Sequence, residues 1–138
     1  MTTKIYIDAE GTAMGRVASF AAKNALQGTE IAVLNSEKAV ISGRAEKTIG
    51  DFKFLRQLNS IKPEKGPFFS KTPDRIMKRT IRGMLPDYRL GRGRVAWRLI
   101  KTYVGIPAEF SKEKLIKLTE KKDELKKAIT VSELSRKA

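Results

Sequence analysis

The chain has 138 residues, carries 29 Lys plus Arg against 15 Asp plus Glu for a formal net charge of +14, and contains neither cysteine nor histidine. Those absences exclude disulfides, thiolate nucleophiles, imidazole bases and the usual zinc ligands, and no apolar run approaches the ~18 residues of a membrane span. A chain this basic repels itself unless a polyanion neutralises it, so nucleic acid is the expected partner, with no membrane, small-molecule substrate, metal or cofactor.

The length suits one domain, and the start lacks the apolar stretch of a secretory signal, so the expected location is the cytoplasm. Charge is unevenly spread. Residues 1–59 hold 8 basic and 6 acidic side chains and residues 103–138 hold 9 and 6, whereas residues 60–102 hold 12 and 3. The reading is a scaffold over 1–58, a contact segment over 59–102 and a tail over 110–138.

The scaffold opens with a β-rich run, Ile5-Tyr6-Ile7-Asp8, and passes Gly11 into a helical pattern. Met14, Val17, Ala18, Ala21, Ala22, Ala25 and Leu26 recur at helical spacing, and Gly28 supplies a stop. Ile31-Ala32-Val33-Leu34 has no alternating polar face, as expected of a strand covered on both sides. Strand, helix, strand in some thirty residues is a βαβ unit and predicts a parallel sheet. Lys38 to Gly43 follows, then a helix from about Arg44 to Leu58. Residues 59–72, with Pro63, Gly66, Pro67 and Phe68-Phe69, read as an irregular loop.

Thr72-Pro73-Asp74 is a helix start: a capping hydroxyl, proline at the first helical position and a carboxylate suited to the dipole. The helix should end near Leu85. At ~100° per residue, Arg75, Lys78, Arg79 and Arg82 fall in one arc, and Ile76, Met77, Thr80, Ile81, Met84 and Leu85 take the remainder. Four cations at i, i+3, i+4 and i+7 repel one another on a free surface, and a phosphate backbone alongside reverses that sign. A charged helix face is ordinarily just solvated. Here acids are nearly missing, and the adjoining Asp87-Tyr88-Arg89-Leu90-Gly91-Arg92-Gly93-Arg94 repeats the theme, with glycines that would let backbone N–H groups approach phosphates. A short helix over Val95 to Leu99 should lead into a strand near Lys101 to Val104.

The candidate RNA contacts are Arg16, Arg44, Lys62, Lys65, Lys71, Arg75, Lys78, Arg79, Arg82, Gly83, Arg89, Arg92, Arg94 and Arg98. Gly83 sits either at a helix end or against RNA. Phe68, Phe69, Tyr88 and Trp97 could stack on bases, but their apolar neighbours favour core roles. The loop Gly11-Thr12-Ala13-Met14-Gly15-Arg16 lies where phosphates often bind, yet it has neither the dinucleotide nor the P-loop spacing. Two competing readings stand beside RNA binding. One is a basic nucleotide-binding α/β enzyme using Asp8 and Asn35 at the strand ends. The other is a DNA-compacting protein.

From Phe110 on, Ser111 could cap a helix in which Leu115, Leu118, Leu125 and Ile129 recur among mixed charges. Thr130-Val131-Ser132-Glu133 is a capping box for a last short helix.

Five strings in order carry a family resemblance. They are Ile7-Asp8-Ala9 with Met14-Gly15-Arg16-Val17-Ala18-Ser19, then Val33-Leu34-Asn35, Ile41-Ser42-Gly43-Arg44, Arg79-Thr80-Ile81-Arg82-Gly83-Met84-Leu85-Pro86 and Tyr103-Val104-Gly105. Over residues 4–105 the chain resembles the L-thirteen family of large-subunit ribosomal proteins. The form is the archaeal and eukaryotic-cytoplasmic one, and Ile106-Pro107, standing where bacterial members carry a histidine, favours an archaeal source. The resemblance implies a three-layer α/β/α domain with a four-stranded parallel sheet and no catalysis. It also implies binding to large-subunit ribosomal RNA in early assembly, beside neighbouring ribosomal proteins.

Overall fold

The computed structural model describes residues 3–58, 61–118 and 127–138. The apolar run at the start forms β1 (Lys4–Asp8), the alanine-rich repeat forms α1 (Met14–Leu26), and β2 (Glu30–Leu34) closes the βαβ unit by pairing in parallel with β1. Gly28 follows α1 with φ +89°, a left-handed conformation suited to a residue without a Cβ. Next come β3 (Val40–Ser42), α2 (Ala45–Gln57), α3 (Pro73–Gly83), α4 (Gly91–Leu99) and β4 (Ile100–Thr102). The chain ends with β5 (Leu115–Lys117), β6 (Ala128–Thr130) and α5 (Val131–Lys137).

The main sheet runs β4-β2-β1-β5 with every pair parallel, and β3 pairs antiparallel with β6 in a separate ribbon. This is the expected α/β class. Strand alternation and register put Ile5, Ile7, Ile31, Val33 and Ile100 on one face of the main sheet. That face joins Val17, Ala18, Ala21 and Ala25 of α1, Ile76, Met77 and Ile81 of α3, and Ala96 of α4 in one core. Burial of each larger aliphatic contributes about 1.5–3 kcal/mol. The opposite face carries Tyr6, Ala32 and Lys101. Its cover includes the 3-10 turn Ala108–Phe110, whose Phe110 ring lies 5.2 Å from Tyr6 and 5.3 Å from Tyr103.

Three local expectations are corrected. The helix proposed from Ser111 is absent among the described residues: Leu115 begins an edge strand paired with Tyr6, Leu118 follows it and packs on the core, and Ile129 lies in β6. Leu125 lies outside the described residues. Backbone pairing to β1 decides the outcome over local spacing, which mimics a helix. The glycine-arginine stretch is not an open loop but the first turn of α4, which therefore starts earlier than Val95. Finally, Thr72 does not cap α3 with its hydroxyl, which instead lies 3.0 Å from Ser70 Oγ. Its carbonyl accepts the Ile76 N–H, and Pro73 and Asp74 hold the first turn as expected. At α5 the capping box is real on one side, the Glu133 N–H donating to Thr130 Oγ1 at 3.2 Å.

Asp8 and Asn35, both buried, lock the carboxyl ends of β1 and β2. Asn35 takes φ +54°, which its short polar side chain tolerates, and its Nδ2 donates to Asp8 Oδ1 at 2.9 Å. The Glu10 N–H donates to the same oxygen, and Lys117 Nζ from β5 lies 3.3 Å from Oδ2. Burial alone would raise the Asp8 pKa, but the hydrogen bonds from Asn35 and the Glu10 N–H, with the Lys117 charge, hold it below the ordinary carboxylate value. A lowered folded pKa stabilises the fold above the unfolded value, and that contribution is lost as pH falls from there through the folded pKa. Asp8→Asn should therefore destabilise the chain by about 1–3 kcal/mol at neutral pH. Thermal melts should show the gap from the parent shrinking toward pH 3; a constant gap would contradict the assignment.

Candidate nucleic-acid interface

The buried stripe of α3 fixes where its cations point. With Ile76, Met77 and Ile81 in the core, Arg75 is exposed and Lys78, Arg79 and Arg82 are half-buried along the opposite flank, as the helical spacing requires. Met84 departs from the pattern, since it caps the helix and is 44% exposed.

The half-buried cations do not project freely, as the helical wheel alone suggests for Arg79 and Arg82. Each lies over a ring: Lys78 Nζ is 4.8 Å from the centre of Trp97, the Arg79 guanidinium 3.8 Å from Phe69, and Arg82 4.7 Å from Tyr88. Arg79 also donates to the Phe68 carbonyl oxygen at 2.8 Å, which ties the preceding loop to the helix. Arg89 extends the row over the same Tyr88 ring at 5.5 Å, with its Nε donating to the phenol oxygen at 3.4 Å. That hydrogen bond and the Arg89 charge lower the Tyr88 pKa. Tyr88 and Trp97 are themselves in tilted contact at 6.2 Å.

Rings attract cations through their quadrupole without neutralising them, each contact being worth about 0.5–1 kcal/mol near the surface. The flank thus stays positive while its side chains lose freedom. Among the described residues none of Arg75, Lys78, Arg79 and Arg82 forms an ion pair. Burial, and then the Arg82 charge, lower the Arg79 pKa, so charged Arg79 is held at a cost that a bound anion would relieve. The aromatic partners are what sequence reasoning misses. Phe69 and Trp97 lie well outside the helix whose cations they support, and nothing local separates a ring under the chain's own arginine from one awaiting a base.

The remaining candidates are dispersed. Arg92 and Arg94 are exposed on the first turn of α4, continuing the positive surface, and Lys62, Lys65 and Lys71 are exposed on the loop leading to α3. Gly83 is the last residue of α3, with open space where a Cβ would stand. Arg16 is exposed near the start of α1. Arg44 lines a cleft with Lys127 at the start of α2, and Arg98 a shallow cleft with Lys101 and Tyr103. Neither joins the α3 row. Gly93 has a different task from the one expected: it is buried against the Pro86 and Asp87 carbonyl oxygens, so it serves close packing of α4 and not approach to phosphate.

Other chemistries find little support in this geometry. Asp8 and Asn35, which an α/β enzyme could have used at its strand ends, are bonded to each other and buried. Among the described residues no group of acidic side chains is placed to hold a metal ion.

The family model described as "Ribosomal protein L13" matches residues 2–109. The chain is 48% identical over 104 residues to the large ribosomal subunit protein uL13 of Methanococcoides burtonii, covering 75% of this chain and 73% of that one. It is 48% identical over 115 residues to that of Methanosarcina barkeri, covering 83% and 80%. With the Archaeoglobus fulgidus protein of the same name it shares 40% over 134 residues, covering 94% and 84%. The basic α3 flank and the βαβ scaffold both fall inside the matched span, and the chain belongs to the ribosomal protein L13 family.

Proposed function

We propose that the chain binds ribosomal RNA of the large subunit through the α3 flank and the first turn of α4, and that it supports early subunit assembly beside neighbouring ribosomal proteins. Family membership makes it a structural ribosomal protein, not an enzyme, and so a cytoplasmic one. The observation that carries the RNA reading is the row Arg75, Lys78, Arg79 and Arg82, of which the last three are braced by rings and none has a carboxylate partner among the described residues. Guanidinium forks fit two phosphate oxygens at once, and a braced fork loses less entropy on binding. Such a surface follows RNA shape and backbone without reading base edges in a duplex.

Binding to a folded large-subunit RNA fragment should be strongly salt-dependent. With ~6–10 phosphate contacts, affinity should fall by roughly three to five orders of magnitude between 50 and 200 mM salt. Filter binding across that range checks it, and a flat response would defeat the reading. Duplex DNA bound equally well would favour the DNA-compacting alternative.

A further inference from the structure

A cavity of about 700 Å³ opens between α2 and the α3 flank. Its wall is apolar and aromatic, with Phe52 and Leu55 of α2 facing Phe69 and Trp97, and Arg75 and Arg82 also line it. Asp51 is the one carboxylate among the lining residues. The α2 side of this cavity is unusual for a helix in a folded chain: no residue of α2 is buried, and Leu55, which lines the cavity, is 37% exposed. Apolar surface left open beside a row of cations calls for an occupant that is flat, apolar on its faces and negatively charged on its tether.

We infer that this cavity receives an unpaired nucleobase extruded from the bound RNA. The inference deepens the proposed function and rests on it. The base enters between the α2 side chains and the rings of Phe69 and Trp97, while its flanking phosphates meet Arg75 and Arg82 at the rim. Unpaired RNA bases are recognised by aromatic and guanidinium planes, and the cavity offers both within one wall. The two oxygens of the Asp51 carboxylate accept together from the adjacent N1–H and N2 amino group of guanine, whereas uracil offers the single N3–H between two carbonyl oxygens, so guanine should be preferred over uracil. An acidic amphipathic helix would also be apolar and anionic. However, it has no use for the guanidinium of Arg79 held over Phe69 at 3.8 Å, a platform on which a base can stack.

Trp97 is the only tryptophan in the chain, so its fluorescence reports occupancy directly. The full chain is titrated with a single-stranded RNA hexamer, an abasic hexamer of the same charge and, in parallel, the folded large-subunit RNA fragment. The base-bearing hexamer should quench Trp97 and bind ~10-fold or more tightly than the abasic one. Leu55→Glu, on a solvent-facing position, should erase that difference while circular dichroism stays unchanged. Equal affinity and equal quenching by both hexamers, with the folded fragment still bound, would overturn the cavity assignment and leave the RNA reading standing. Binding of none of the three would sink both. If Leu55→Glu leaves the hexamer untouched but blocks incorporation into subunits, the cavity belongs to a protein partner and the inference fails.

Discussion

Gly93→Ala should cost about 3 kcal/mol or more of stability, which is the effect expected when a core position is overpacked against backbone. An ideal Cβ at this residue would lie 2.3 Å from the Asp87 oxygen, 2.6 Å from the Pro86 oxygen and 2.8 Å from the Asp87 carbonyl carbon. Carbon and oxygen sit comfortably at about 3.5 Å or beyond, so something must move by roughly an ångström. No flexible side chain is available to do so, because all three atoms are main chain. The strain falls on the turn that presents Tyr88 beneath Arg82 and on the helix that carries Trp97 beneath Lys78. Against a total stability of about 5–15 kcal/mol the loss is large, and thermal melting should fall by ~10 °C. Gly83→Ala is the control, since nothing lies within 4 Å of its Cβ position and it ends a helix without left-handed geometry. That variant should be neutral or slightly stabilising. Equal melting temperatures for the two variants would show that α4 does not pack on residues 86 and 87 as described.

The contrast between these glycines marks where the sequence is legible. The βαβ unit is readable because its signals are local: apolar runs, a helical alanine stripe and Gly28 each act within a few residues. The α3 wheel is readable for the same reason. β5 is not, because Leu115–Lys117 is three residues long, half exposed, and defined by pairing with Tyr6 to Asp8 more than a hundred residues away. Local spacing of leucines there matches a helix and carries no trace of that partner. Gly91 to Arg94 reads as loop because glycine is a poor helix former, about 1 kcal/mol worse than alanine. The tertiary approach to the Pro86 and Asp87 carbonyls, which needs glycine, reverses the local preference. In the site, the cations are legible as a patch. Their ring partners are not, since cation–ring contact is a matter of distance in space.

Reversing two charges on the braced row separates that geometry from net charge. Arg79→Glu with Arg82→Glu should weaken binding to the folded RNA fragment by ~10²–10⁴-fold at low salt, from two charge-assisted hydrogen-bonding groups worth about 1.5–3 kcal/mol each. The salt slope should become shallower by roughly two units, one for each phosphate no longer held. The fold should survive. Ile76, Met77 and Ile81 still anchor α3, and removing Arg79 from Phe69 and the Phe68 carbonyl costs only ~1–2 kcal/mol, partly offset by relief of the repulsion between the two arginines. Lys112→Glu with Lys114→Glu makes the same change in net charge at exposed positions ahead of β5, away from the row. If the protein acted merely as a diffuse positive field, the two pairs would weaken binding alike, with equal changes in slope. A braced phosphate-binding row instead requires the α3 pair to lose most of the affinity and the lysine pair to keep nearly all of it. Measuring both slopes with one RNA fragment distinguishes the two mechanisms.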